Sequence, residues 1–181
     1  LAEWDGRIVA VGQFAAVDGA PAAGLAIEDA DGAGWAELGG GLDGDFAYAS
    51  AITVSEALGV VIGGAFEGVG GEPLPDLAAW DGAAWSDVGG GVTGSQGFAI
   101  VSSVQAYGDG LFVTGAFDAA GGVAAANLAW FDGAAWHALG DGLNDLAESL
   151  IVVDDVLFVG GPFTVAGGRP ASGIAAWDFG N

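Results

Sequence analysis

Val60-Val61-Ile62-Gly63-Gly64-Ala65-Phe66 is a short apolar run that closes on Gly-x-Phe, and the chain repeats it. It occurs as Ile8-Val9-Ala10-Val11-Gly12-Gln13-Phe14, as Leu111-Phe112-Val113-Thr114-Gly115-Ala116-Phe117 and as Leu157-Phe158-Val159-Gly160-Gly161-Pro162-Phe163. The closing phenylalanines are 52, 51 and 46 residues apart. A repeat of this period points to a solenoid or a propeller, in which one supersecondary unit recurs.

A second block follows each run. In the second unit it reads Leu77-Ala78-Ala79-Trp80-Asp81-Gly82-Ala83-Ala84-Trp85, then Val88-Gly89-Gly90-Gly91-Val92. In the third it reads Leu128-Ala129-Trp130-Phe131-Asp132-Gly133-Ala134-Ala135-Trp136, then Leu139-Gly140-Asp141-Gly142-Leu143. The first copy has drifted to Leu25-Ala26-Ile27-Glu28, with Trp35 and Leu38-Gly39-Gly40-Gly41-Leu42 still in place. The last copy stops at Ile174-Ala175-Ala176-Trp177-Asp178. The 181 residues therefore read as one domain of four units, 1–46, 47–97, 98–146 and 147–181.

The elements inside a unit are short, β-branched or aromatic, and bounded by Gly and Asp, which is strand chemistry. With 36 glycines in the chain, no dozen-residue window suits a helix. Four strands are expected per unit. In the third unit these are 98–106, 111–117, 127–131 and 135–139, with tight turns at Gly108-Asp109-Gly110 and Asp132-Gly133. Asp-Gly between apolar runs is a hairpin signal, because both residues tolerate positive φ.

An apolar run ending in Gly-Gly, a spaced aromatic and then a Trp resembles the kelch repeat. Gly63-Gly64 with Trp80 and Trp85 carries the pattern, as does Gly160-Gly161 with Trp177, while Gly12-Gln13 and Gly115-Ala116 keep only its first glycine. The chain is most similar to the Trp-Asp-Gly-rich, kelch-like repeats of secreted bacterial proteins, and the likeness runs through all four units. It implies an all-β fold, a β-propeller of four-stranded antiparallel blades, and an extracellular or cell-surface location. On this reading the last blade lacks its outer strand. Open sheet edges and an uncovered apolar blade face are then expected, to be covered by further chain, a second copy or another protein.

The composition removes several functions. The chain holds 24 Asp and Glu against two Arg and no Lys, for a net charge of -22. Two cations cannot neutralise a run of phosphates, so nucleic acid is an unsuitable partner, and so is an anionic lipid surface. No apolar run approaches the length that spans a bilayer, so membrane insertion is not expected. No signal-peptide pattern opens the chain. The absence of Cys removes disulfides, thiolate metal sites and cysteine catalysis. Such a charge repels itself strongly unless salt screens it, which fits a saline extracellular setting.

An enzyme is not expected. Kelch-like oxidases need a set of His, Tyr and Cys ligands, whereas here His137 is the one histidine and the tyrosines are Tyr48 and Tyr107. His137 follows Trp136 where the other units carry Ser86 and Ala36, which reads as variable outer-strand surface. No nucleophile-elbow motif is present. Most Asp residues stand at hairpin turns with a structural reason to be there.

Strand order puts the loops at 43–47, 67–75, 118–126, 141–149 and 164–171 on one face, where a ligand is expected. Calcium is the metal to consider, since it takes six to eight oxygen ligands. The candidate ligands are Asp43 and Asp45 in one loop and Asp141, Asn144 and Asp145 in another, with Glu148 nearby. The corresponding loop of the second unit carries Thr93, Ser95 and Gln96 instead, so the site would not recur. The recurring Trp35, Trp85 and Trp136 read as packing between units, and Arg7 and Arg169 as ion-pair partners.

These features lead to a non-catalytic extracellular scaffold or protein-interaction module. Its partner is expected to be another protein, including a second copy joined through open blade edges. A carbohydrate- or calcium-dependent adhesion module is the second reading, and a segment of a larger propeller enzyme the third.

Overall fold

The computed structural model describes residues 1–95 and 97–180. Within them the chain has no helix and folds into a series of small antiparallel sheets. The first main sheet joins Ala2–Trp4, Arg7–Val11, Leu25–Glu28 and Trp35–Glu37 in chain order. The second joins Tyr48–Ser55, Gly59–Ala65, Leu77–Trp80 and Trp85–Asp87. The third joins Ile100–Tyr107, Gly110–Ala116, Leu128–Phe131 and Trp136–Ala138. The fourth has three strands, Ser149–Val153, Val156–Gly160 and Ile174–Asp178. Each sheet is a plain up-and-down meander, as the repeated Asp-Gly turns predict.

The stretches read from sequence as loops are more ordered than expected. Between the second and third strands the chain makes a miniature hairpin, for instance Ala119–Ala120 against Val123–Ala124. Gly121 and Gly122 form its turn with φ of 54° and 78°, the double left-handed geometry that a two-residue hairpin demands. The link from one sheet to the next pairs with the hairpin of the following unit. Leu42–Asp43 lies against Gly68–Val69, and Val92–Thr93 against Ala119–Ala120. A single bridge, Leu143 to Ala166, repeats the arrangement in the last unit.

Period-2 alternation then decides which side chains meet. Val9, Leu25 and Ile27 of the first sheet pack with Val60, Ile62, Ala78 and Trp85 of the second. Val61 and Ala79 of the second pack with Val101, Leu111, Val113, Phe131 and Trp136 of the third. Phe112 and Leu128 of the third pack with Leu157, Val159 and Phe163 of the fourth unit. There are thus three apolar layers, each between neighbours in sequence, and the paired links lie inside them.

Two side-chain bonds fasten the long first strands to each other. Ser50 Oγ donates to the Val101 carbonyl at 2.8 Å, and the Ala106 N–H donates to Thr53 Oγ1 at 3.1 Å. A third tie is periodic. The Trp85 indole donates to the Gly39 carbonyl at 3.0 Å, and the Trp136 indole to the Val88 carbonyl at 3.1 Å. The glycine-rich link exists for this contact, since a Cβ at Gly39 or Gly89 would collide with the tryptophan of the next sheet.

The two outer faces of the stack differ. On the first sheet, pairing register puts Glu3, Ala10, Glu28 and Glu37 on the face turned away from the second sheet. Glu28 stands where the later units carry Trp80 and Phe131, each packed on its cross-strand Trp at 5.2 Å between ring centres. The loss of this aromatic in the first repeat thus falls on a side that packs on no other sheet among the described residues. On the fourth sheet the outer face is mostly apolar, with Ile151, Val153, Phe158 and Ile174 exposed and Asp178 the one carboxylate on its strands. Phe158 is 39% exposed, whereas its repeat counterpart Phe112 is fully covered.

Candidate functional site

The links and miniature hairpins gather on one side of the second and third units, and a cleft of about 440 Å³ opens among them. Its lining joins one link (Gly44, Asp45, Phe46 and Ala47), the hairpin region of the second unit (Phe66, Glu67, Pro75 and Asp76) and the next link (Gly97, Phe98 and Ala99). Phe46 and Phe98 hold the same place in successive repeats, each two residues before the start of a long strand. They are 86% and 64% exposed, the highest values among large aromatic side chains here. A phenylalanine left in water forgoes roughly 1.5–3 kcal/mol of burial free energy. Two at one repeat position, framing one cleft, therefore stand out. Phe46 also borders a shallower depression lined by Gln13, Phe14, Ala23 and Leu42.

The floor of the cleft is acidic. Asp45 and Glu67 are exposed, and Asp76 is partly buried. Asp76 has φ of +64° just before the third strand of its sheet, where the other units place Gly24, Asn127 and Gly173 at 73°, 61° and 79°. Its Oδ1 accepts the Phe66 N–H at 3.2 Å. Burial dominates that hydrogen bond and pushes the Asp76 carboxyl up to about 6. Neither arginine lines the cleft.

The sequence-derived calcium ligands are dispersed among other tasks. Asp43 accepts the Gly71 N–H at 2.8 Å. Asn144 Oδ1 accepts the Thr164 and Val165 N–H groups at 2.9 and 2.7 Å, and its Nδ2 donates to Thr164 Oγ1 at 2.9 Å. Asp145 accepts the Leu146 N–H at 2.8 Å. Asp141 is exposed beside Gly168, and Asp45 lies in the cleft. Among the described residues no three His, Cys, Asp or Glu side chains come together as metal ligands. Gln96 of the corresponding second-unit loop lies outside the described residues.

The remaining polar residues serve the turns. His137 Nε2 is 2.7 Å from Asp132 Oδ2 on the outer strand of the third sheet. Asp132 is held down to about 2, first by the Ala135 N–H, then by His137 and the Ala134 N–H. Arg7 lies over the Trp4 ring at 5.9 Å, and neither arginine makes an ion pair among the described residues. Trp85 and Trp136 are buried in the layers between sheets, where recurrence predicts them.

Comparison of the chain with protein-family models, with curated proteins and with solved structures finds no match. Sequence reasoning had placed a ligand face on these loops without singling out Phe46, Phe98 or Asp76. The available signal was the recurrence of a phenylalanine five and seven residues after the Gly-rich link, but the expected strand 98–106 took Phe98 into the sheet, whereas the strand begins at Ile100.

Proposed function

We propose that the four sheets are consecutive blades of a kelch-like β-propeller and that the chain is a non-catalytic extracellular interaction module. It associates with a second copy of itself through the fourth sheet. The observation that carries this reading is the uncovered face bearing Ile151, Val153, Phe158 and Ile174. The counterparts of Phe158 (Val9, Val61 and Phe112) and of Ile174 (Leu25, Leu77 and Leu128) are all buried in the layers between neighbouring sheets. A contiguous apolar patch on a solvated protein marks an interaction surface. The patch carries a single charge at its border, Asp178 opposite Val156, so it can meet a like patch once salt screens that carboxylate and the others around it. The free edge of Ile174–Asp178, which pairs on one side only, widens the same surface.

The loop face, with its exposed phenylalanines and carboxylates around one cleft, supports a binding role. Light scattering in 0.5–1 M salt, beside the denatured mass of 17.6 kDa, tests the assembly reading. A native mass of two chains that falls on dilution is expected. A concentration-independent mass of one chain overturns it.

A further inference from the structure

We infer that the cleft between Phe46 and Phe98 receives a cationic side chain, Arg or Lys, displayed by a partner polypeptide. This specifies a partner within the interaction-module reading, but it does not depend on the fourth sheet or on self-association.

The cleft has two aromatic walls and three carboxylates, Asp45, Glu67 and Asp76, with no cation among its lining residues. An aromatic ring face attracts a cation, and a desolvated cation between rings and carboxylates gains more than it would in water. A basic side chain also brings an apolar stem, which can lie along the rings while its head reaches the acids. The floor has a reason to want such a guest. Asp76 is carboxylate at neutral pH at the expense of partial burial, and a bound cation would relieve that cost. In the next unit Asn127 fills the same position, and its Nδ2 donates to the Leu143 carbonyl at 2.9 Å. The amide is satisfied within the fold, whereas the carboxylate at 76 has acceptor capacity left for a ligand. A net charge of -22 draws basic segments toward the whole surface, and the cleft supplies the specific seat.

The test is a titration of the full chain at pH 7.5 with a labelled nine-residue Gly-Ser peptide bearing one central Arg, followed by Phe ring NMR shifts. The controls are the same peptide with citrulline in place of Arg, free arginine methyl ester, and a neutral disaccharide. The Arg peptide is expected to shift both rings and to bind at least about tenfold tighter than the citrulline peptide. Phe46→Ala, Phe98→Ala and Asp45→Asn should each weaken it about three- to tenfold while leaving Tm unchanged, because all three side chains are exposed. Glu56→Gln removes an equal charge outside the cleft and should leave affinity within about twofold. Equal losses for Asp45→Asn and Glu56→Gln would reduce the effect to general attraction and overturn the proposal. So would equal binding of the citrulline peptide or the disaccharide. Arginine methyl ester binding as tightly as the peptide would overturn the polypeptide partner. The native mass plays no part in these outcomes, so this inference and the assembly reading fail separately.

Discussion

Asp76 and Asn127 occupy one position in consecutive units, with φ of 64° and 61°, and each accepts a backbone N–H from the residue that closes the Gly-x-Phe run. The acceptor bonds match, to Phe66 at 3.2 Å and to Phe117 at 3.3 Å. The other half of each side chain differs. Asn127 has an amide that donates onward, and Asp76 has an oxygen that donates only when protonated. One repeat thus has an uncharged staple and its neighbour a titratable one.

Asp76→Asn is expected to stabilise the fold above pH 6. The folded carboxyl titrates at about 6, above the ordinary aspartate value of 3.8, so between those values the folded state binds more protons than the unfolded state. The stability that Asp76 contributes is therefore greatest below about pH 4 and is lost as pH rises through 6. The gain at pH 7.5 should be about 1–2 kcal/mol, discounted for the solvent that still reaches the group. Chemical denaturation of both proteins from pH 4.5 to 8 checks this. Parallel pH profiles for the two would refute the assignment.

Carboxyl NMR should find two aspartates on opposite sides of the usual range, Asp76 with a midpoint about 6 and Asp132 about 2. The Asp132 value depends first on the turn N–H groups of Ala134 and Ala135, so His137→Ala should raise it only in part.

Trp136→Phe is expected to cost about 1–2 kcal/mol. It keeps most of the ring volume but leaves the Val88 carbonyl without the indole donor. Trp35→Phe should cost less than about 0.5 kcal/mol, since Trp35 makes no such bond among the described residues and is only partly buried. Urea midpoints of the two variants distinguish a periodic tie from simple aromatic bulk.

Phe158→Asp should convert the associated form to single chains without lowering the stability of those chains. The side chain points out of the fourth sheet, away from Leu157 and Val159 that pack inward. Sedimentation velocity reads the first effect and thermal unfolding of the dilute protein the second. Loss of folding at low concentration would show that the residue belongs to an internal layer.

Gly121→Ala tests the links. Gly121 has φ of +54°, and a Cβ there would run into the Trp136 ring and the Gly89 carbonyl. A loss of about 2–4 kcal/mol is expected, read from denaturant midpoints.

Much of this architecture is legible in the chain. Asp81-Gly82 and Asp132-Gly133 mark turns because Asp and Gly tolerate the geometry, and alternation in Leu157-Phe158-Val159 separates inward from outward residues. What was hidden depends on neighbouring units. Gly39-Gly40-Gly41 looks like a flexible link, yet it is a bed for Trp85, and only the packed structure brings the two together. Glu28 looks like drift until the register shows that its side meets no sheet of the chain. Phe46 and Phe98 look like core because phenylalanine usually is, and their exposure follows from loop geometry that composition does not encode. The five calcium candidates share loops, but backbone donors claim Asp43, Asn144 and Asp145 first.

The unlike outer faces give the stack a direction. Growth by adding copies head to tail would press Glu3, Glu28 and Glu37 of one chain against Phe158 and Ile151 of the next, burying carboxylates without counterions. Two chains meeting through their fourth sheets bury like against like and turn both glutamate faces to solvent. On the proposed self-association that pairing would be isologous and self-limiting, so it would not seed a fibre.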